Sequence, residues 1–336
     1  MKLRLFAAAA VMTIVGNALA EDVVLRLHHF LPAPAVAQAQ FLEPWAAKVM
    51  ADSDERIRID IYPAMQLGGK PPQLIDQVRD GVVDMVWTVP SYTPGRFPNM
   101  EVFELPFMAA SAEATSQAVM AYSQANLDDS FAGIKPILFH VHAPGSIHTR
   151  GRPITVLEDL QGVKLRTPTR SITQTLEAYG AVPVGMPAPQ VPQAIARGVV
   201  DGTVFPYEIT SPLRIHEITD THTKIFTDRG LYTVVLLLAI NQRRYDSLPD
   251  DLKAVLDANS GMPLAAHIGR VWDQAETPGI AAAEALGDRF VELDVAEVER
   301  WKAAAQPVIE DWVAQRGAGG RALLAEARAL VAQYAD

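Results

Sequence analysis

A strand-then-helix alternation runs through this chain twice, and it narrows the fold more than any other feature. "DVVLRLHHF", Asp22 to Phe30, sets Val24, Arg26 and His28 against Val23, Leu25 and Leu27, the period of two that a strand requires. A helix follows in "AQAQFLEPWAAKVMADS", with Phe41, Trp45 and Val49 at fourfold spacing. "RIRIDIYP" is a second alternating strand, "PPQLIDQVRDG" a short helix that begins at prolines and stops at Gly81, and "VVDMVWTVP" a third, largely buried strand. The order restarts in "KPILFHVH", "GVKLRTP", the helix "SITQTLEAYGA", "VPVGM", the helix "VPQAIARG" and "VVDGTVFP". Such an order predicts α/β layers with a mostly parallel sheet in each of two units, and two units in one chain predict two domains with a crevice between them. From Asp250 onward the pattern is nearly all helical, as in "LPDDLKAVLDANSG" and "DVAEVERWKAAAQPVIEDWVAQRG".

Lys2 and Arg4 open a short basic start, "LFAAAAVMTIVG" is an apolar run too short to cross a bilayer comfortably, and "NALA" ends in the small-x-small pattern of a signal-peptidase site. Glu21-Asp22 follow at once and no stop-transfer pattern does, so cleavage is expected after Ala20 and the mature chain is expected to be exported to the periplasm. The longest later apolar run, "LYTVVLLLAI" at Leu231 to Ile240, is about half the ~20 residues of a helical span and is rich in strand formers. With 0 cysteines, neither disulfides nor thiolate chemistry is available, and a long chain can bury enough surface to manage without staples.

The formal net charge is −10, from 29 basic and 39 acidic residues, and two units more negative once Lys2 and Arg4 leave with the leader. That balance argues against nucleic-acid binding, which would show a basic stripe. An anion would be drawn only to locally placed positive groups, and one candidate stands out. In "GVKLRTP", Val163, Leu165 and Thr167 share one strand face and Lys164 and Arg166 the other, and the chain turns at Thr167-Pro168 into a helix starting near Thr169 or Ser171. A strand's carboxyl end meeting a helix amino end is where α/β folds bind anions. The planar guanidinium of Arg166 can grip a carboxylate through parallel hydrogen bonds that Lys cannot reproduce. An interdomain or surface salt bridge is the alternative.

The chain resembles the solute-binding proteins of tripartite ATP-independent periplasmic (TRAP) transporters, the dicarboxylate-binding-like (DctP) family, over essentially the whole mature length. The resemblance rests on "IDIYPAMQLGG", "QVRDGVVDMVW", "VFELPFM", "RPITVLEDLQGVKLRTP", "ARGVVDGTVFP" and "LPDDLK", in that order. It implies a two-domain, periplasmic-binding-protein-like α/β fold, type II-like, that closes on a solute, with a long bridging helix and handover to small and large integral membrane subunits. The division it implies is a leader of 1–20, a first α/β domain of 21–143 plus 235–274, a second of 144–234 plus 275–315, and a C-terminal helix at 316–336. It also implies that Arg166, matching the arginine of the family's G-x-K-x-R motif, is the carboxylate clamp. No cofactor and no nucleic-acid partner is implied.

Departures from the family pattern bear on the ligand. Sugar-acid-binding relatives usually read D-G-x-E-N-P with the asparagine facing the ligand, whereas "DGTVFP" puts Phe205 there. Phe30 stands where a polar residue is common, Trp87 closes the third strand, Tyr92 follows in "PSYTPGRFP", and Met186 falls in the stretch that commonly lines the floor. Each aromatic has core packing as its alternative, but together they suggest an apolar pocket for an aromatic or branched hydroxy acid. The family's frequent second basic position is Ser146, with His148 close by, and a lone strong cation favours a monocarboxylate over a C4-dicarboxylate. His148, Tyr207, Glu208 and Tyr232 are candidates for ligand hydroxyls or for structural roles. A binder of a C4-dicarboxylate or sugar acid is the alternative within the class.

An exported hydrolase or lyase using Arg166 to hold substrate is the alternative from another class. His28-His29 point to opposite strand faces and lie in no H-E-x-x-H motif, so no metal site is expected there. "RGAGGRALL" and "LGGKPP" lack the full phosphate-loop pattern, and no G-x-S-x-G elbow occurs. A binder without catalysis is expected.

Overall fold

The computed structural model describes residues 23–335, so the leader and its expected cleavage after Ala20 lie outside the described residues. Strands β1 (Val23–His29), β2 (Ile57–Tyr62) and β3 (Met85–Thr88) are joined through helices α1 (Glu43–Asp52) and α2 (Leu74–Asp80), and α3 (Ala112–Asn126) leads into β4 (Ile134–Val141). The chain then crosses to β5 (Ser146–Thr149), β6 (Lys164–Thr167), α4 (Arg170–Ala178), β7 (Val182–Gly185), α5 (Val191–Ala196), β8 (Gly202–Phe205) and β9 (Thr221–Lys224). It returns as β10 (Val235–Asn241) and continues through α6 (Gln242–Asp246), α7 (Asp250–Ala258), α8 (Gly261–Glu284), β11 (Arg289–Glu292), α9 (Val295–Gln315) and α10 (Gly320–Ala335). Local signals bound the helices. Gly81 takes the left-handed conformation, φ 78°, that ends α2, and the Ser111 side chain accepts the Ala114 N–H to start α3.

One sheet has the order β2-β1-β3-β10-β4 and the other β11-β9-β5-β8-β6-β7. Both are mixed, which corrects the expectation of mostly parallel sheets. β1 pairs in parallel with β2 and β3, but β10 runs antiparallel to both β3 and β4. The cause is topological. β4 carries the chain out of the first sheet and β10 brings it back, and neighbouring strands that leave and return by the same border must be antiparallel. The same holds in the second sheet, where β5 enters, β9 leaves and the two pair antiparallel. A second correction lies in the C-terminal part. β11 adds in parallel to β9 at the sheet edge, inside a region whose pattern reads as helix, because a four-residue, mostly exposed edge strand carries no alternation to detect.

The helix α8, 24 residues long, about 36 Å at 1.5 Å per residue, is fastened to both lobes. Asp273 accepts the backbone N–H groups of Ala112 and Glu113 at 2.7 and 3.0 Å, capping α3 of the first lobe. One turn on, Glu276 accepts those of Tyr207 and Glu208 at 3.1 and 2.9 Å, holding the turn Tyr207–Ile209 of the second. Gly279 permits the close approach on that side: a Cβ there would lie 2.2 Å from the Tyr207 carbonyl oxygen. No helix among the described residues is long and apolar enough to cross a membrane.

Candidate functional site

The carboxyl ends of β1, β3, β6 and β8 converge with the middle of α8 on a cavity between the sheets, holding about 420 Å³ of empty space counted out to its mouth. Strand ends at such a crevice are where α/β sheets present ligand-binding groups. Phe30 follows β1, Trp87 lies in β3, Tyr92 sits in the tight turn Pro90–Tyr92, and all three face the cavity. The rings of Phe30 and Trp87 stack, centroids 5.2 Å apart and planes 13° from parallel, and Tyr92 meets Phe30 edge-on at 5.5 Å. The Trp87 indole N–H donates to His140 Nε2 at 2.9 Å, and burial pushes His140 down to about 3, so it stays a neutral acceptor.

Arg166, in β6, is 1% exposed. Its Nε–H donates to the Met186 carbonyl at 2.9 Å and an Nη1–H to the Val204 carbonyl at 3.2 Å. The guanidinium carbon lies 4.5 Å from the centre of the Phe205 ring. The Tyr92 hydroxyl, which also accepts the Ala188 N–H at 3.2 Å across the cleft, hydrogen-bonds to the guanidinium. Burial lowers the pKa of Arg166, opposed by Tyr92 and Tyr232, and no carboxylate appears among its stabilising neighbours. A guanidinium has five N–H donors; the two carbonyls and the Tyr92 hydroxyl leave two of them for a ligand. Among the described residues, Arg166 is the only lysine or arginine lining the cavity.

Glu208, in the turn Tyr207–Ile209, and Tyr232, just before β10, also line the cavity. Burial pushes Glu208 up to about 8, with the nearby Glu276 adding to the shift and a Trp272 hydrogen bond opposing it. Glu276 itself is pushed up to about 7 by burial.

Two expected site residues are placed elsewhere. His148 lies in β5, fully buried behind the cavity wall, with Nε2 3.0 Å from the Phe205 carbonyl oxygen and Nδ1 2.7 Å from His222 Nδ1. It orients the Phe205 backbone rather than facing the cavity, since the strand's alternation turns its ring toward Tyr207 and His222. Met186 contributes its carbonyl to Arg166, while its side chain lines an adjacent groove with Pro72, Pro168 and Gly185. His28 and His29 are occupied by Gln77 and Gln38, at 2.8 and 3.0 Å.

The cavity also contains His142 and Trp272, which sequence reasoning missed. His142 Nδ1–H donates to the Ala143 carbonyl at 2.5 Å and burial lowers the ring to about 4, so it is neutral. Its place at the end of "KPILFHVH" was the available signal. Trp272 had none, because the inward face of α8 exists only once both lobes are in place.

The profile of bacterial extracellular solute-binding protein family 7 matches residues 28–316. A TRAP solute-binding protein from a marine metagenome, specific for aromatic acid ligands and crystallised with 3-hydroxybenzoate, is 47% identical, with a TM-score of 0.91 covering 94% of this chain and 99% of that one. A TRAP solute-binding protein from Rhodoferax ferrireducens, in complex with copurified benzoate, is 42% identical, with a TM-score of 0.90 covering 93% and 98%. The C4-dicarboxylate-binding periplasmic protein of Rhodobacter capsulatus is 24% identical over 305 residues, 90% of each chain.

Proposed function

The chain belongs to bacterial extracellular solute-binding protein family 7 as a TRAP solute-binding protein, and from that premise we propose that it captures a small aromatic or branched hydroxy-monocarboxylate, with hydroxybenzoate-like acids foremost. Arg166 clamps the carboxylate, the lobes close over the ring, and the loaded protein delivers it outside the cytoplasm to the small and large membrane subunits of the transporter. The closing bodies are 21–143 with 235–274 and 144–234 with 275–315.

One observation carries this reading: a guanidinium 1% exposed that has no carboxylate partner among the described residues. A buried, unpaired charge costs several kcal/mol, and a ligand carboxylate offsets that cost with a two-pronged hydrogen bond. The walls decide what hangs from it. Phe30, Trp87, Tyr92 and Phe205 supply flat apolar surface, each contact worth about 0.5–1.5 kcal/mol beyond area burial. A second carboxylate would find no second cation, since His142 is neutral. Sugar hydroxyls placed against Phe205 would lose about 1–3 kcal/mol per unsatisfied group. The aromatic acids held by the two similar structures support the same class.

Binding without turnover is the expectation. A thermal-shift panel of aromatic acids, pantoate, C4-dicarboxylates and sugar acids tests the class, because a ligand stabilises by RT ln(1 + [L]/Kd). An aromatic monocarboxylate is expected to give the largest shift, and mass spectrometry is expected to recover it unchanged. A largest shift from succinate or a sugar acid would overturn the ligand class, and a changed ligand would overturn the binder.

A further inference from the structure

Resting on the reading above, we propose that Glu208, steadied by Trp272, is the residue that selects hydroxylated rings over bare ones. Two charged groups of opposite kind line one cavity: Arg166, the lone cation, from β6, and Glu208, 7% exposed, from the turn that α8 holds. Arg166 is absent from the charges that act on Glu208, whose charged neighbour is Glu276, while the Tyr232 phenol between them feels both. Because both residues line one cavity, a ring bound through its carboxylate at Arg166 can turn its far side to Glu208.

That far side is built to hold a proton. The Trp272 indole N–H hydrogen-bonds to the Glu208 carboxyl group, and the backbone N–H of Glu208 is taken by Glu276, at 2.9 Å. The remainder of the carboxyl group faces the cavity. Kept neutral, it offers both an O–H donor and a carbonyl acceptor, the complement of a phenolic hydroxyl. The titratable groups near it are Glu276 on α8, which acts on it directly, and Tyr232 before β10 and His142 after β4, which line the same cavity. None supplies a positive charge at neutral pH, since burial lowers His142 to about 4. An ionised Glu208 would face the ligand's own carboxylate with no cation between them.

Titration calorimetry with benzoate and the three hydroxybenzoate isomers reads the proposal as a ratio of affinities. Wild type at pH 6.5 is expected to prefer one hydroxybenzoate to benzoate by about tenfold, equivalent to ~1.4 kcal/mol. Glu208→Leu is expected to bring that ratio within about threefold of one, and Glu208→Gln, which can still donate and accept, to retain most of it. From pH 7 to pH 9 wild type is expected to lose affinity for both acids as Glu208 ionises, and Glu208→Gln is not. The last arm stands even if Glu208→Leu fails to fold. A preserved hydroxyl preference in folded Glu208→Leu, no preference in wild type, or the same pH profile in wild type and Glu208→Gln overturns the proposal. Wild type that binds none of these acids overturns the underlying reading instead.

Discussion

Replacing Arg166 with methionine separates the clamp from the fold. The side chain gives up hydrogen bonds to the Met186 and Val204 carbonyls at 2.9 and 3.2 Å and a place over the Phe205 ring at 4.5 Å. Hydrogen bonds from a charged group contribute about 1.5–3 kcal/mol each and the ring contact about 0.5–2. Against this stands the several kcal/mol that an unpaired, desolvated cation costs, so the two sides nearly cancel. The unliganded variant is expected to melt within about 5 °C of wild type. Binding has no such offset. Removing one partner of a buried, hydrogen-bonded charge pair costs about 2–5 kcal/mol, so affinity for an aromatic acid is expected to fall at least about thirtyfold. Arg166→Lys is expected to recover only part of it, lacking the Nε donor and the fork. Calorimetry on protein verified as folded by circular dichroism decides the matter. An affinity loss under about threefold would refute the clamp, and failure of the methionine variant to fold would mean that Arg166 is structural.

Phe205→Asn is expected to weaken aromatic acids about three- to tenfold while leaving the circular dichroism spectrum unchanged, since one flat wall is lost and a cleft-facing amide can hydrate. Tyr92→Phe removes the hydroxyl that accepts the Ala188 N–H across the cleft; stopped-flow fluorescence is expected to show dissociation faster by about two- to tenfold, and an unchanged rate would deny the contact a part in closure. Small-angle scattering is expected to show compaction on saturation with ligand. Stability should fall from acid to alkaline pH over part of the range. Burial pushes Glu104 and Glu208 up to about 8 and Glu276 up to about 7, from an ordinary value of 4.5. A raised acid binds its proton more tightly in the folded state, so its contribution is complete below about pH 4.5 and is lost as pH rises through the folded value. Urea unfolding at pH 9 is expected to need less denaturant than at pH 6, and Glu104→Gln to flatten that difference.

The alternating strands of the first lobe were legible because each has one apolar face, and the place of Arg166 on the cavity wall was legible because it stands near a strand's carboxyl end, just before Thr167-Pro168 leads into a helix. The sheet order was not, since nothing local tells β10 that it will return beside β4. His148 reads as a cavity residue until its partner His222, 74 positions on, is seen to claim it. The raised pKa of Glu208 was likewise hidden, being set first by burial and then by Glu276, 68 positions away on α8.

The two protein atoms that orient Arg166 through carbonyls, those of Met186 and Val204, are main-chain oxygens. Substitution changes side chains and leaves carbonyls where they are, so no point mutation at either position deletes an anchor of the clamp. Among the neighbouring side chains, Tyr92 and Phe205 also touch the guanidinium, while the others that shape the cavity carry no such duty. If Arg166 grips a carboxylate as proposed, drift among those others can trade one acid for another while the grip persists, which makes new specificity accessible by single steps through functional intermediates and leaves the arginine itself as the position where descent is least forgiving.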